Sequence, residues 1–477
     1  MNLSAMQIQS IVDATKTPTP EQVRVVEAPR RPLLVVAGAG SGKTETMSMR
    51  VLWLLANHPD LTPASILGLT FTRKAAGELG DRLRERIRLL SREMPQMRER
   101  LDEDPVALTY NSFAERIVSE HGMRIGIDPD FSMLSEAGAL DLMTQIVEAW
   151  PTDLDEELRP IDAVPQVLHL AGELAEHGFT VESAREALEE LGRELSQVGD
   201  TNAEARNLLR ANRRRLAFLG PIATYQQRKR EMGVLDFSDQ LVLATRIVRE
   251  APAVRAALRE EFRAVLLDEF QDTSVIQMEL LSTLFGDHAV TAVGDPNQAI
   301  YGWRGASASS LETFLDHFQS GAPEAGQTLT LSTAWRNDVS ILDAANRVAA
   351  PLREVASYQQ GKDALKAQSP VLVPRKGAGQ GTVEIAYTQV YEDALAATVD
   401  FVKRVRSQAT KDGKRRTVAV LSRRRKDFPF IDAALREAGI PTEIVGLGGL
   451  LDQPAVQDVR AALELAYDVA ASPWLAR

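Results

Sequence analysis

Apolar residues in this chain gather in short unbroken runs. Each run leads into small or polar residues and then into an apolar stripe with helical spacing. The first run is 33–36 (Leu33, Leu34, Val35, Val36), and the stripe that follows is Met47, Val51, Leu54 and Leu55. Runs without alternation fit strands buried on both faces of a parallel sheet, and the stripes fit helices covering those faces. The scheme recurs at 66–71, followed by Leu79, Leu83, Ile87 and Leu90, and again at 106–109, 264–267 and 288–293. From about Ala114 to Arg230 the runs vanish and helical stripes such as Ala184, Leu188, Leu191 and Leu195 take over. Beyond Gln327 strand-like runs return at 328–331, 382–387, 417–421 and 443–445. The pattern predicts an α/β fold with parallel sheets: a first α/β domain over 1–113 and 231–322, interrupted by a mostly helical insertion over 114–230, then a second α/β unit over 323–477.

Chemistry-bearing residues sit where the strand runs end. Between run 33–36 and its stripe lies Ala37-Gly38-Ala39-Gly40-Ser41-Gly42-Lys43-Thr44. Strand, glycine-rich turn and helix start are the context of a phosphate-binding loop, whose backbone N–H groups and helix N-terminus point at the anion. Lys43 is expected to reach the β- and γ-phosphates of a nucleoside triphosphate such as ATP, and the Thr44 hydroxyl to hold Mg²⁺. The first glycine position of the usual pattern is Ala37 here. Upstream, Thr19-Pro20-Glu21-Gln22 reads as a helix start, and the Gln22 amide matches the N6/N7 edge of adenine, although a plain surface glutamine fits the same residues.

Run 66–71 ends in Phe71-Thr72-Arg73-Lys74, an aromatic beside hydroxyls and two cations. That set suits stacking on a base while neutralising phosphate, and an aromatic capping the core is the alternative. Run 106–109 repeats the scheme with Tyr110-Asn111-Ser112-Phe113. Run 264–267 ends in Asp268-Glu269-Phe270-Gln271-Asp272: Asp268 is expected to hold Mg²⁺ and Glu269 to polarise an attacking water. Run 288–293 leads into Gly294-Asp295-Pro296-Asn297-Gln298-Ala299-Ile300-Tyr301-Gly302-Trp303-Arg304, with Gln298 as a γ-phosphate sensor and Tyr301 and Trp303 as stacking platforms. Arg336, following Ala334-Trp335, fits an arginine delivered to a γ-phosphate. The clusters Arg213-Arg214-Arg215 and Arg228-Lys229-Arg230 read as solvated helix faces, with phosphate contact as the alternative.

Composition narrows the classes. The 477 residues suffice for roughly three domains. A net charge of −11 argues against a general polyanion binder, so any nucleic-acid site must be local. No cysteine occurs, which excludes disulfides and cysteine-ligated metal within the chain, and the six histidines show no metal-ligand spacing. No apolar run reaches the ~20 residues that span a bilayer, and the first residues lack the basic start and apolar core of a secretory signal. A cytoplasmic protein with no membrane partner is the expectation.

AGAGSGKT, TFTRKAA, LDEFQDT and VGDPNQAIYGWRGA, in that order, resemble motifs I, Ia, II and III of superfamily 1A DNA helicases, the UvrD/Rep/PcrA group. GSGKTETM and the VGLGGLL stretch look most like actinobacterial AdnA/AdnB helicase–nuclease subunits. The resemblance implies tandem RecA-like P-loop domains, 1A and 2A, with ATP and Mg²⁺ in the cleft and the helical insertion as domain 1B. It implies that Gln22 reads adenine and Trp335 stacks on it, that residues 37–44 hold the phosphates, and that Gln298 and Arg336 contact the γ-phosphate. Phe71, Thr72, Arg73, Asn111, Tyr301, Trp303 and Arg304 would bind single-stranded DNA and single-strand/duplex junctions, with 3′→5′ movement, in repair or recombination. A helicase–nuclease partner subunit follows from the narrower likeness. Three departures stand out. Motif IV reads Ala334-Trp335-Arg336 where Asn-Tyr-Arg is usual, motif III has Ala299 in place of serine, and nothing after Arg336 matches motifs V and VI. Weak turnover by this chain alone is therefore expected. A nucleotide-gated DNA- or partner-binding module that does not translocate, and a P-loop enzyme of another kind, are the competing readings.

Overall fold

In the computed structural model the described residues are 3–128, 130–155, 158–197, 203–302, 305–306, 310–319, 326–358, 368–408, 413–445 and 454–467. They form two compact units, Met1–Thr382 and Val383–Arg477. The strands, in chain order, are β1 (Leu33–Ala37), β2 (Ile66–Thr70), β3 (Val106–Thr109), β4 (Ser132–Met133), β5 (Val234–Leu235), β6 (Ala264–Leu267), β7 (Val290–Gly294), β8 (Gln327–Leu331), β9 (Thr333–Ala334) and β10 (Val373–Pro374).

The first unit is built on a six-stranded parallel sheet in the order β3-β2-β6-β7-β1-β8. Its central strands are buried on both faces, as their unbroken apolar runs predict, and successive side chains feed two separate cores. Leu34, Val36, Leu67, Leu69, Val265 and Leu267 join Phe113, Phe262 and Phe285 on one face. Leu33, Val35, Ala37, Ile66, Ala264 and Leu266 join Met47, Val51, Leu83 and Ile87 on the other. Both helical stripes predicted after the first two runs are therefore core stripes. Run 328–331 does not open a second unit: β8 pairs with β1 from Leu33↔Gln327 to Ala37↔Leu331, as the edge of the first sheet. A strand run alone carries no information about which sheet accepts its backbone bonds.

The helical part has its own core, in which Met143, Val167, Phe218, Leu219 and Ile222 are fully or nearly fully buried. It draws on the helices Glu136–Glu148, Pro160–Glu176, Val181–Gln197 and Ala203–Met232. The helix Tyr110–His121, by contrast, gives Phe113, Ala114, Ile117 and Val118 to the sheet core, so the purely helical region begins after it rather than at 114. Lys229 is not on a solvated face. It is buried, with Nζ 2.5 Å from Asp236 and 2.6 Å from Asp239, and ties the long helix to the helix Phe237–Glu250.

The second unit contains the helices Tyr391–Ser407, Phe428–Glu437 and Pro454–Tyr467, and the first two share a small core of Val402 and Leu435 with Ile440. The runs 382–387, 417–421 and 443–445 make no strand among the described residues. Val418 instead packs against that core, while Ile385, Tyr387 and Leu421 are exposed. An apolar alternating pattern becomes a strand only where a neighbour takes its backbone hydrogen bonds. The 446–450 stretch lies outside the described residues.

Candidate functional site

The helix Lys43–Asn57 starts directly from β1 through a loop that only glycine makes easily. Gly40 has φ +73° and Gly42, the N-cap, has φ +82°, so an L side chain at either position would be strained. Space is restricted as well. A Cβ on Gly40 would lie 3.2 Å from the Arg336 Cβ, and one on Gly42 would lie 3.2 Å from Gln22 Nε2 and 3.6 Å from Trp335 Cδ1. The Trp335 N–H donates to the Gly40 carbonyl at 2.8 Å, and Gly38 N–H to the Leu331 carbonyl at 3.0 Å. The loop, Gln22, Trp335 and Arg336 are thus one cluster, as expected for a shared ligand. Ser41 Oγ within the loop is buried without a protein partner, a polar atom that a bound phosphate would satisfy.

Gln22 is buried rather than on the surface. Its Oε1 accepts from Thr19 N–H at 2.9 Å in a capping box, and its Nε2 donates to Thr46 Oγ1 at 3.3 Å. The amide is therefore oriented before any base arrives. Arg50 fixes this geometry from below. Its guanidinium is fully buried and donates to the carbonyls of Val25, Val26, Ala28 and Pro29 and to Thr291 Oγ1 at 2.8–3.3 Å. It caps the C-terminal end of the Gln22 helix and fastens it to the phosphate-loop helix. Burial pulls its pKa down to about 9.

Opposite the loop, β6 delivers two carboxylates. Glu269 has φ +49°, the left-handed region, among the described residues the one non-glycine to do so. Such strain is held only where surrounding contacts impose it. Here they turn the carboxylate onto Lys43, with Nζ–Oε2 2.9 Å, and onto Gln271 Nε2, also 2.9 Å. Burial raises the Glu269 pKa, but the Lys43 charge and the two hydrogen bonds outweigh it and hold the carboxyl below its ordinary value. Asp268, deeper, is pushed up to about 6 by burial and by the Glu269 charge, with Lys43 opposing. A buried carboxylate short of positive charge fits a cation-binding role. Among the described residues no group of three or more His, Cys, Asp or Glu is arranged to hold a metal ion.

A carboxyl with a raised folded pKa favours the folded state below its unfolded pKa of 3.8, and that contribution is lost as pH rises through about 6. Asp268→Asn is therefore expected to stabilise the nucleotide-free protein by roughly 2–3 kcal/mol at pH 7.5 and to do much less near pH 4. Thermal melts of both proteins at the two pH values measure this. An equal effect at both would assign the change to packing.

The loop 37–44 and a cavity lined by Phe71 are joined by hydrogen bonds. Gln271 donates to Glu269 and, at 3.2 Å, to Asp272, and its Oε1 accepts from Asp295 N–H at 3.0 Å. Asp295 in turn accepts from Gln298 Nε2 at 2.7 Å. Asp272 lines a cavity of about 490 Å³ together with Phe71, Arg73, Asn111, Ser112 and Phe237. The Phe71 ring sits 4.6 Å from the Tyr301 ring at an interplanar angle of 33°. Phe71 is thus partly exposed at the cavity, neither purely core nor free. Thr72 uses its hydroxyl oxygen to cap the helix Arg73–Glu93 by accepting from Ala75 N–H. Trp303 and Arg304 lie outside the described residues.

The family model described as the UvrD/REP helicase N-terminal domain matches residues 18–319, more than half of the chain. The chain belongs to the UvrD/REP helicase family. It is 27% identical over 448 residues to DNA helicase II of Escherichia coli K12, covering 93% of this chain and 54% of that protein. It is 26% identical over 454 residues to the ATP-dependent DNA helicase PcrA of Staphylococcus aureus strain Mu50, covering 93% and 53%. The PcrA of Leuconostoc citreum gives 26% over 466 residues, 96% and 53%. The chain spans about half the length of the curated relatives it matches.

Three participants were not assigned roles from sequence. Gln271 and Asp272 lie inside a recognisable run, but only the fold reveals that Gln271 bonds both Glu269 and Asp272 and that Asp272 lines the Phe71 cavity. Phe237 is half exposed, lines the same cavity as Phe71 and follows Asp236, the N-cap of its helix. An aromatic at the first position of a capped helix was the available signal. No described helix is long and apolar enough to cross a membrane.

Proposed function

We propose that this chain binds Mg²⁺–ATP at the loop 37–44 and single-stranded DNA at the Phe71 cavity, and couples ATP hydrolysis to movement along DNA. The observation carrying this reading is the hydrogen-bonded path from Lys43 through the side chains of Glu269 and Gln271 to the Asp295 backbone N–H, whose own carboxylate accepts from Gln298, with Asp272 as its branch into the cavity. Lys43 would exchange its bond with Glu269 for the β- and γ-phosphate oxygens. Glu269, released but kept ionised and oriented by Gln271, would then position the attacking water and accept its proton. Thr44 and Asp268 would hold Mg²⁺, which offsets the phosphate charge. Gln22 and Trp335 would hold the base, and Gln298 and Arg336 the γ-phosphate. Phe71 and Tyr301, with Trp303, would stack on bases, while Thr72, Arg73, Asn111 and Arg304 take the backbone and base edges.

The finer parts rest on family resemblance: 3′→5′ direction, action at single-strand/duplex junctions, a role in repair or recombination, and insertion 1B as the helical part. The AdnA/AdnB likeness rests on GSGKTETM and VGLGGLL, and a nuclease-associated partner subunit would follow from it. DNA-stimulated ATP hydrolysis, compared between this chain and its Lys43→Ala variant, tests the reading. Stimulation by oligothymidylate that the variant loses is the expected result, and hydrolysis indifferent to DNA would favour a P-loop enzyme of another kind. Phe71→Ala is expected to weaken oligothymidylate binding by about 1–3 kcal/mol while sparing nucleotide binding, measured by fluorescence anisotropy.

A further inference from the structure

The first turn of the phosphate-loop helix carries an acid, Glu45, whose Cβ lies 3.8 Å from where a Gly42 Cβ would stand. An acid there suits the helix dipole but competes with a bound phosphate for the same positive end. The structure supplies the counter-charge from another element. Arg86, on the helix Arg73–Glu93, places Nη2 2.5 Å from Glu45 Oε2. Its Nη1 bonds Ser48 Oγ and reaches the Glu45 carbonyl at 3.5 Å. The Ser48 hydroxyl itself donates to the carbonyls of Thr44 and Glu45 at 2.8 and 2.9 Å. The Arg86 side chain is only 12% exposed, so solvent screens this pair less than a surface one.

We infer that Arg86 is a positioning residue for nucleotide: it neutralises Glu45, so that the turn beside Lys43 and Thr44 keeps a net positive field for the phosphates. The contacts described for Arg86 run to Glu45 and Ser48 and not to Lys43, Asp268 or Glu269, so its charge reaches the phosphate site through the Glu45 carboxylate. This inference rests on the proposed nucleotide-binding role of the loop. It adds that an acid in the helix turn that follows the loop is tolerated because a second helix cancels it.

The test is a titration of the full chain with a fluorescent ATP analogue and Mg²⁺, using wild type, Arg86→Gln, Glu45→Gln and the double variant. Arg86→Gln is expected to raise Kd roughly 5- to 10-fold at low salt, with the difference shrinking as salt is added. The double variant is expected to return to within about 2-fold of wild type, because the uncompensated acid is gone. Loss of packing alone would not be rescued by Glu45→Gln and would not depend on salt. An unchanged Kd in Arg86→Gln, or a double variant as weak as the single one, overturns the inference. Failure of wild type itself to bind the analogue would instead overturn the nucleotide-binding reading. If Arg86→Gln does not fold, Glu45→Gln alone still decides: binding equal to or tighter than wild type supports the inference, and clearly weaker binding overturns it.

Discussion

Lys43→Ala is expected to lower kcat/KM for DNA-stimulated ATP hydrolysis by roughly 10²–10³-fold, the usual cost of removing one preorganised charge from a site of developing negative charge. The nucleotide-free site changes too. There the Lys43 charge is the first of the influences that lower the Glu269 pKa against burial, so its removal leaves that carboxylate without its ion-pair partner before nucleotide arrives. Steady-state kinetics with oligothymidylate measures the effect. Hydrolysis within a few-fold of wild type would mean that the loop 37–44 is not the nucleotide site.

Glu269→Gln separates binding from chemistry. The substitution keeps the size of the side chain and its hydrogen bond to Gln271, and it removes the competitor that occupies Lys43 at 2.9 Å. Nucleotide affinity is therefore expected to hold or tighten a few-fold, while kcat falls roughly 10²–10⁴-fold with the loss of the general base. Parallel binding and turnover measurements check both halves. A fall in affinity matching the fall in kcat would make the carboxylate a structural group.

Much of this site was legible because strand ends collect chemistry in parallel sheets. Lys43, Asp268 and Glu269 follow runs that emerge as β1 and β6, near neighbours across β7 in one sheet. Three things were not legible. The pairing of β8 with β1 is a long-range choice between sheets, and it puts Trp335 and Arg336 against Gly40 within one compact unit. The left-handed backbone of Glu269 depends on its surroundings, since glutamate has no local preference for it. Lys229, in a basic run, is buried because Asp236 and Asp239 arrive from the next helix. Spacing exposes periodicity within an element, whereas all three depend on what another element brings.

The proposed nucleotide loop and the Phe71 cavity are expected to be coupled through Gln271 and its neighbours. Affinity for labelled oligothymidylate with and without Mg²⁺ and a non-hydrolysable ATP analogue measures this directly, together with the reciprocal affinity for nucleotide with and without DNA. Each ligand is expected to change the other's Kd by the same factor, about 5-fold or more, and Gln271→Ala to bring the factor close to one. Tight binding of both ligands with no change in either Kd would contradict that coupling.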